Sequence, residues 1–373
     1  MGLELADIFR RYGEAYRQKY AGRIPATHLK AMRAIERCRT PALGGQIYVC
    51  PECKQVRYSY HSCRNRSCPK CQNENGQQWL EQQQDMLLPV PYFFLTFTVP
   101  SGFNEVARSH QSLIYDVLFK ASAAATQKLA TDPRFVGGQI GMLGVLHTWG
   151  RNLAYHPHIH CLIPAGGLAS DGKTWLPAHE NFLVPVRALS RIFRAKVQDA
   201  LLSEPCYADI PSKVWQQEWV VHCEPVGDGL GALKYLAPYI FRVALSNNRI
   251  LKLDKDAVTF RYRDTDTGKW RCCTLQAEEF IHRFLQHVLP TGFVKVRYYG
   301  FFSTGARKSL AALRLQLELT STALPSPSNS PQQLSVSDSS KESLLDARIP
   351  RCPVCGCPMQ PGPSIPPSDL APP

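Results

Sequence analysis

The sequence predicts an α+β fold, in which a central and mainly antiparallel sheet carries flanking helices and follows a small cysteine-rich module. Three observations lead to this class. Apolar segments with the two-residue period of strands occur in pairs that short turns separate. Amphipathic segments with a helical period lie between these pairs. Two Cys-x-x-Cys pairs precede both patterns and predict the module.

The first half of the chain predicts helices, the module, a strand and a long helix in turn. Residues 1–36 predict basic amphipathic helices, and residues 37–75 predict the module. Tyr92–Val99 predicts a buried strand because aromatic and β-branched residues dominate it. Apolar residues then recur every four positions from Asn104 to about Ala130, which indicates a helix.

Two hairpins are predicted further along the chain. Ile140–Trp149 and Tyr155–Ile163 are strand candidates on either side of Gly150-Arg151-Asn152, which favours a turn. Ala257–Arg263 and Lys269–Leu275 flank a second turn sequence, Asp-Thr-Asp-Thr-Gly. The other expected elements are a helix at Val186–Val197, a strand at Glu218–Pro225, a helix at Glu278–Val288 and a late strand at Arg297–Gly300.

The length of 373 residues predicts a main domain with appendages. From Ser321 to about Leu345, Ser, Pro and Gln replace large apolar residues, so this segment cannot bury enough surface to offset its ordering entropy. The expected parts are a helical segment at 1–36, a zinc-binding domain at 37–75, the main domain at 76–300, a flexible Ser/Pro-rich linker at 301–350 and a cysteine-containing tail at 351–373.

The charge of the chain favours nucleic acid as the partner. Lys and Arg number 43 against 30 Asp and Glu, which gives a net charge of +13. The N-terminus has no apolar signal core, and the longest apolar run, at 87–100, contains prolines and is too short to span a bilayer. We therefore expect a cytoplasmic protein with no membrane partner, in which Cys-x-x-Cys pairs bind metal rather than form disulfides.

The cysteine module predicts a structural zinc site of the zinc-ribbon type. Cys50 and Cys53 form one pair and Cys68 and Cys71 form a second, and each pair can donate two thiolates to one tetrahedral zinc ion. Three surplus ligands can complete a second site or replace one member of a pair, namely Cys38, His61 and Cys63. Near the C-terminus, Cys352, Cys355 and Cys357 form a half-site that lacks an obvious fourth ligand.

Basic residues in the module predict contacts with DNA. Arginines and lysines meet phosphates, and zinc supplies a scaffold for a segment that is too small to fold alone. The candidates are Arg57, Arg64, Arg66 and Lys70.

Three histidines predict a metal site in the main domain. His156, His158 and His160 alternate on a predicted strand, so their side chains point to one face. His222 and Glu224, on another predicted strand, compete with His156 for the place of third ligand, which stays unassigned. Two imidazoles and one further ligand leave positions for phosphate oxygens, for which magnesium or manganese is the suitable ion.

Two tyrosines are the candidate nucleophiles. Tyr235 and Tyr239 are four residues apart, so one helix would present both on one face, although Pro238 predicts a kink or a helix start between them. A phenolate attacking a metal-polarised phosphate leaves a covalent link between protein and DNA. The flanking cations Lys234, Arg242 and Arg249 are candidates for binding DNA phosphates.

These motifs resemble those of a known family. His158-Ile159-His160 fits the His-hydrophobic-His triplet of the HUH superfamily of single-strand endonucleases. With its HPHIHCLIPAGGL and KYLAPYIFRVALSNNRI segments and the cysteine module upstream, the chain is similar to rolling-circle transposases of the insertion-sequence ninety-one type, from about Cys38 to about Gly300.

The resemblance implies a bacterial, nucleoid-associated enzyme of DNA transposition and recombination, with an HUH nuclease-like fold. It implies that His158 and His160 bind the metal and that a tyrosine nicks and rejoins single-stranded or melted transposon ends through a 5′-phosphotyrosine. Two alternatives remain open at this point, a plasmid rolling-circle replication initiator and a non-catalytic zinc DNA-binding regulator. The sequence gives no oligomeric state.

Overall fold

The computed structural model describes residues 2–71, 73–84, 86–150, 152–241, 244–264, 267–322 and 349–368. Within these residues the chain is a mixed α and β protein with antiparallel sheets and flanking helices, which confirms the predicted class. The helices are α1 (Leu5–Lys19), α2 (Ala26–Arg37), α3 (Asn73–Gln84), α4 (Asn104–Ser109), α5 (Gln111–Ala130), α6 (Val186–Leu201), α7 (Lys213–Gln216), α8 (Leu230–Phe241), α9 (Ala277–Leu285) and α10 (Arg307–Thr322).

Thirteen strands lie in the described part of the chain, and all of their pairings are antiparallel. The strands are β1 (Gly45–Val49), β2 (Val56–Tyr60), β3 (Tyr92–Thr98), β4 (Met142–Trp149), β5 (Tyr155–Pro164), β6 (Gly166–Leu168), β7 (Trp175–Pro177), β8 (Val220–Pro225), β9 (Ile250–Asp254), β10 (Ala257–Arg263), β11 (Trp270–Gln276), β12 (Val296–Tyr299) and β13 (Gln360–Ile365).

The central sheet has five strands in the order β12-β4-β5-β3-β8, and helices cover both of its faces. On one face, Phe97 and Ile159 pack in an apolar cluster with α5 and α6. On the other, Phe94, Val145 and Leu162 pack with α8 and α10. Because successive residues of a strand point to opposite faces, the two clusters alternate along each strand. The middle strand, β5, is therefore buried along most of its length.

The N-terminal helices and the second predicted hairpin form a separate apolar cluster beside this sheet. Phe9 of α1 packs edge-to-face on Phe284 of α9, with ring centroids 5.6 Å apart. Phe260 of β10 contacts Phe280 of α9 in the same cluster. The sheet β11-β10-β9 thus joins α1, α2 and α9 in one unit.

The cysteine module and the last described segment of the chain meet in a third sheet. Strand β1 pairs with β2 on one side and with β13 on the other, giving the order β13-β1-β2. The tail at 351–373 is therefore not an isolated appendage in its described residues, because β13 completes the sheet of the module at 37–75. Composition could not indicate this pairing, since β13 contains two prolines and has no strand-like alternation.

The predicted linker at 301–350 needs a correction at its start. Helix α10 occupies Arg307–Thr322, and its Leu310 and Leu313 are buried against Phe301 and Phe302. Helix α10 contains apolar residues that it can bury, because the composition changes to Ser, Pro and Gln only from Ser321 onward. Residues 323–348 lie outside the described part of the chain.

Two smaller differences concern helices. The helix expected from Asn104 to Ala130 is two helices, because His110 leaves the helical region, with φ −124° and ψ 44°. Among the described helices, none has the length together with the apolar character that crossing a membrane requires.

Candidate functional site

Three histidines converge on the face of the central sheet that α8 covers. His158 and His160 lie two residues apart on β5, so both point to this face. His147 lies on β4 directly opposite His158, and directly opposed residues of antiparallel strands share a face. Their ligand nitrogens all lie within 4.8 Å of one another.

Hydrogen bonds orient the two imidazoles of β5. His158 Nδ1 donates to the backbone carbonyl of His156 at 2.7 Å, which leaves Nε2 unprotonated in the neutral ring. His160 Nδ1 lies 3.0 Å from the Thr96 hydroxyl of β3, and Phe94 stacks on its ring at a centroid distance of 5.0 Å. Both Nε2 atoms consequently point toward a common position, 3.1 Å apart.

Burial keeps these imidazoles neutral. It lowers the pKa of His158 to about 4 and the pKa values of His147 and His160 well below their usual range. Positive charge on a neighbouring imidazole would lower the pKa values of His147 and His160 further. Neutral histidine is the form that binds metal, so the three rings are ready to act as ligands near pH 7.

The spacing of these nitrogens fits a shared cation. Two nitrogens that each lie about 2.1 Å from one ion, at tetrahedral or octahedral angles, are about 3.0–3.4 Å apart. The observed separation of 3.1 Å between His158 Nε2 and His160 Nε2 lies in this range. His147 stands perpendicular to both rings, with centroids 5.3 Å from His158 and 4.4 Å from His160.

His156, the third histidine of the sequence motif, does not join this group. Residues i and i+4 of a strand lie about 13 Å apart, so His156 and His160 cannot both coordinate the same ion. A directly opposed residue on the next strand lies about 5 Å away, which is why His147 takes the third position. The sequence did contain a signal for this residue, because the predicted hairpin between β4 and β5 brings His147 toward the His motif.

The other candidates for the third ligand lie further away. His222 of β8 is exposed and pairs with Thr96, so β3 separates it from β5. Glu224 is also exposed and pairs with Phe94. Neither His222 nor Glu224 belongs to the group formed by the three histidines.

Helix α8 carries both candidate tyrosines. Ala232, Leu233 and Leu236 of this helix are buried in the apolar cluster that covers the histidine-bearing face. The backbones of Tyr235 and Tyr239 are part of the helix, and Pro238 does not end it. The side chains of the two tyrosines lie outside the described part of the structure.

A half-buried lysine, Lys295, lies between the end of α8 and β4. Lys295 Nζ donates to the carbonyl of Ile240 at 3.3 Å and lies 4.6 Å from the centroid of the Trp149 ring. Burial lowers the pKa of this amine to about 7, with the positive charge of Arg66 adding to the effect. Sequence reasoning missed Lys295, because no local pattern marks a lysine just before a strand as withdrawn from solvent.

The cysteines form two clusters of four, which corrects the expected grouping. Cys50 and Cys53 do not share a site with Cys68 and Cys71. The first cluster, called the inner cluster, consists of Cys38, Cys63, Cys68 and Cys71. The second, called the outer cluster, consists of Cys50, Cys53, Cys352 and Cys355. His61 and Cys357 belong to neither.

The inner cluster has the dimensions of a tetrahedral thiolate site. Its sulfur atoms lie 3.4 Å apart for Cys38 and Cys71 and 3.6 Å apart for Cys63 and Cys71. Sulfurs bound to zinc at about 2.3 Å lie roughly 3.8 Å apart, whereas a disulfide needs about 2.05 Å. Hydrogen bonding with Cys63 lowers the pKa of Cys38, and hydrogen bonding with Cys38 raises the pKa of Cys63 to about 12. Four thiolates can therefore coexist here only when a cation shares their charge.

The predicted DNA-binding residues of the module differ in their surroundings. Arg64 and Arg57 are exposed. Arg66 is exposed as well, but it donates to the carbonyls of Phe293 at 2.8 Å and Leu289 at 3.0 Å, and also to that of Pro290. Lys70 pairs with Glu4 at 2.5 Å. Arg66 and Lys70 thus make contacts within the protein, Arg66 with the loop that follows α9 and Lys70 with the residue before α1.

The basic residues that flank the two tyrosines in the sequence do not form one group in the described structure. Lys234 is exposed on α8. Arg249 lies over the ring of Trp270 in the β9–β11 unit, 5.8 Å from the centroid. Arg242 lies outside the described residues.

A wide basic groove opens beside the start of β5. Its volume is about 1180 Å³, and Ala154 and Tyr155, at the start of β5, are among the residues that line it. Its charged lining includes Glu279, which pairs with Arg283 at 2.7 Å. The cationic or titratable residues along it are Arg23, His28, Arg108, His110, His282 and Arg283.

Comparisons with known proteins agree on one family. Residues 141–309 match a family model described as "Putative transposase", and residues 8–99 match one described as "Transposase zinc-binding domain". "Putative transposase y4qJ" of Sinorhizobium fredii is 39% identical over 375 residues, which cover 95% of this chain and 93% of that protein. The "Transposase for insertion sequence element IS801" of Pseudomonas savastanoi is 29% identical over 287 residues, or 71% and 68% of the two chains. No solved structure matches the chain. The chain therefore belongs to the transposases of the insertion-sequence ninety-one type, as its sequence motifs predicted.

Proposed function

We propose that this transposase is an HUH-type endonuclease that cuts and rejoins a single DNA strand with a tyrosine. The observation that carries the proposal is the convergence of His147, His158 and His160 on the sheet face against which α8 packs. The three rings would hold one divalent cation, and α8 would supply Tyr235 and Tyr239 as nucleophiles.

The phosphate substrate, rather than the imidazoles, favours magnesium or manganese during the reaction. Three imidazoles leave coordination positions open, and a phosphate oxygen is a hard ligand that these ions accept. When bound, the ion would act as a Lewis acid that draws charge from the scissile phosphate. Thr96 and the carbonyl of His156 would serve as positioning groups, because they fix the rings of His160 and His158.

The covalent step is a transesterification. The phenolic oxygen of one tyrosine forms a bond to phosphorus while the bond from phosphorus to the 3′ oxygen breaks. The proton lost by the tyrosine is balanced by the one that the 3′ oxygen gains, which leaves a 5′-phosphotyrosine and a free 3′-hydroxyl. Attack by a 3′-hydroxyl on the phosphotyrosine rejoins a strand, and a second tyrosine allows a second exchange.

The basic groove is the proposed path of the DNA strand. Arg23, Arg108 and Arg283 would contact phosphates along it, and the groove includes Tyr155, the first residue of the strand that carries His158 and His160. Lys295 would contribute, beside the end of α8, a half-buried amine that is only partly protonated near pH 7 because its pKa is lowered to about 7.

An adduct assay tests the proposal. The purified chain is incubated with labelled single-stranded oligonucleotides that span each end of the element encoding it, with magnesium or with EDTA. We expect a covalent adduct on a denaturing gel with magnesium alone. Changing both Tyr235 and Tyr239 to Phe abolishes the adduct, whereas Tyr58→Phe, at an exposed tyrosine of β2, preserves it.

Histidine variants test whether His147, as the structure indicates, or His156, as the sequence motif predicted, is the third metal ligand. Loss of a residue that only hydrogen-bonds to a metal ligand typically lowers metal affinity or activity by about 10–100-fold. His147 is a proposed ligand itself, so we expect His147→Gln to reduce the yield of adduct by about 100-fold or more. His156→Gln is expected to retain it, because its carbonyl rather than its ring orients His158. An adduct that survives the double tyrosine change, or wild-type protein that binds the ends without forming one, would refute the proposal and favour a non-catalytic DNA-binding role.

A further inference from the structure

The outer cluster joins two distant parts of the chain. Cys50 and Cys53 follow β1 in the N-terminal module, and Cys352 and Cys355 precede β13. The matched family regions, 8–99 and 141–309, contain the first pair and not the second. Cys50 and Cys352 are buried, whereas Cys53 and Cys355 are exposed.

We infer that these four cysteines bind a second structural zinc ion, which fastens the C-terminal segment to the N-terminal module. The sulfur atoms lie 3.4 Å apart for Cys50 and Cys355, 3.4 Å for Cys53 and Cys352, and 3.6 Å for Cys53 and Cys355. These separations exceed a disulfide bond and suit four thiolates around one ion, a donor set that favours zinc.

The backbone builds the same turn on both sides of the cluster. Lys54 N donates to the Cys50 carbonyl, and Cys50 N donates to the Gln55 carbonyl. In the C-terminal segment, Gly356 N donates to the Cys352 carbonyl and Cys352 N to the Cys357 carbonyl. The fifth residue of each turn has a positive φ, 60° at Lys54 and 75° at Gly356.

This repetition assigns a role to Cys357. It occupies the position that Gln55 holds in the first turn and closes the turn through its carbonyl. Its side chain therefore stays outside the group of four, although it is only two residues from Cys355.

The C-terminal segment needs such an anchor. The apolar cluster around the outer cysteines has three buried residues, Cys50, Cys352 and Met359, and two of these are proposed ligands. Strand β13 pairs with β1 through a register irregularity, between Gln46 and Tyr48. So small a core rarely holds a segment in place, and metal binding is the usual supplement.

Zinc content of the full chain tests the inference directly. We expect about two zinc ions per chain, one in each cysteine cluster. Changing Cys352 and Cys355 together to Ser lowers the content to about one, whereas the matched change Cys357→Ser leaves it at about two. The inference is overturned if the double variant keeps its zinc or if Cys357→Ser loses as much. No nuclease activity enters this readout, so the result is independent of the proposed function.

A second measurement leaves every cysteine in place. A sequence-specific protease site is inserted in the serine-rich stretch at 323–348, and the chain is cut there after folding. We expect the C-terminal fragment to coelute with the rest of the protein until a zinc chelator releases it. Coelution that persists after all zinc is removed, or a fragment that separates while both ions remain bound, contradicts the inference.

Discussion

Arg66→Met separates a stabilising role of this arginine from the DNA contact that its sequence position suggests. The guanidinium of Arg66 donates to three carbonyls of the loop after α9, those of Leu289, Pro290 and Phe293. These carbonyls belong to the segment that leads into β12, so the arginine connects the zinc-binding module to the central domain. Methionine retains the length of the apolar stem while it removes all three donors.

The expected cost follows from the surroundings of these hydrogen bonds. A hydrogen bond within a protein contributes about 1 kcal/mol net, and one from a charged donor contributes more. Two of the three bonds lie near solvent and one is partly buried. After the side-chain entropy that Arg66 loses is subtracted, we expect the free energy of unfolding to fall by about 2 kcal/mol.

Arg64 provides the matched control two residues away. Its side chain is exposed, so Arg64→Met should change the free energy of unfolding by less than about 0.5 kcal/mol. If Arg64 contacts one DNA phosphate, Arg64→Met should also reduce the slope of a plot of log affinity for DNA against log salt concentration by about 1. Urea unfolding, followed by tryptophan fluorescence, and DNA binding at several salt concentrations measure the two effects. The reasoning fails if Arg66→Met leaves stability unchanged and reduces the salt slope as Arg64→Met does.

Three further predictions concern stability and metal content. Burial lowers the pKa of His287 to about 4, below the usual 6.5, so the unfolded chain binds the extra proton as pH drops from 6.5 to 4. This residue alone should then cost about 3 kcal/mol of stability, and unfolding of His287→Gln across this range should show a loss smaller by about that amount. Gly300 has φ 57°, and a Cβ added there would lie 1.8 Å from the carbonyl oxygen of Ile140. Gly292 has a similar φ but open space around it, so Gly292→Ala should cost only about 1 kcal/mol. Gly300→Ala should therefore lower the urea midpoint of unfolding far more than Gly292→Ala does. Cys68→Ser should remove about one zinc ion per chain, measured by elemental analysis, and an unchanged zinc content would exclude an ion in the inner cluster.

Local patterns in the sequence were sufficient for the elements that form the central sheet. The apolar alternation and turn residues around Gly150 predicted the β4–β5 hairpin, because the pairing of adjacent strands depends on nearby residues. The fold class follows from such segments and is confirmed by the sheet order. The family also follows from local motifs, which the matched regions confirm.

Contacts between distant residues could not be predicted in this way. Cys352 and Cys50 are brought together by β13 and β1, and no spacing rule connects cysteines so far apart in the chain. Arg66 looked like a phosphate ligand because charge is visible in a sequence, whereas the carbonyls that accept its hydrogen bonds are not. His147 is the intermediate case, because strand pairing alone would have placed it opposite His158.

The pairing of β13 with β1 has a consequence for synthesis on the ribosome. Strand β1 emerges early, while the residues that cover its free edge are translated only after the whole central domain. Until then β1 presents unpaired backbone groups that can recruit strands from other nascent chains. Premature termination before β13 would therefore yield a product prone to aggregation, even where its central domain had folded.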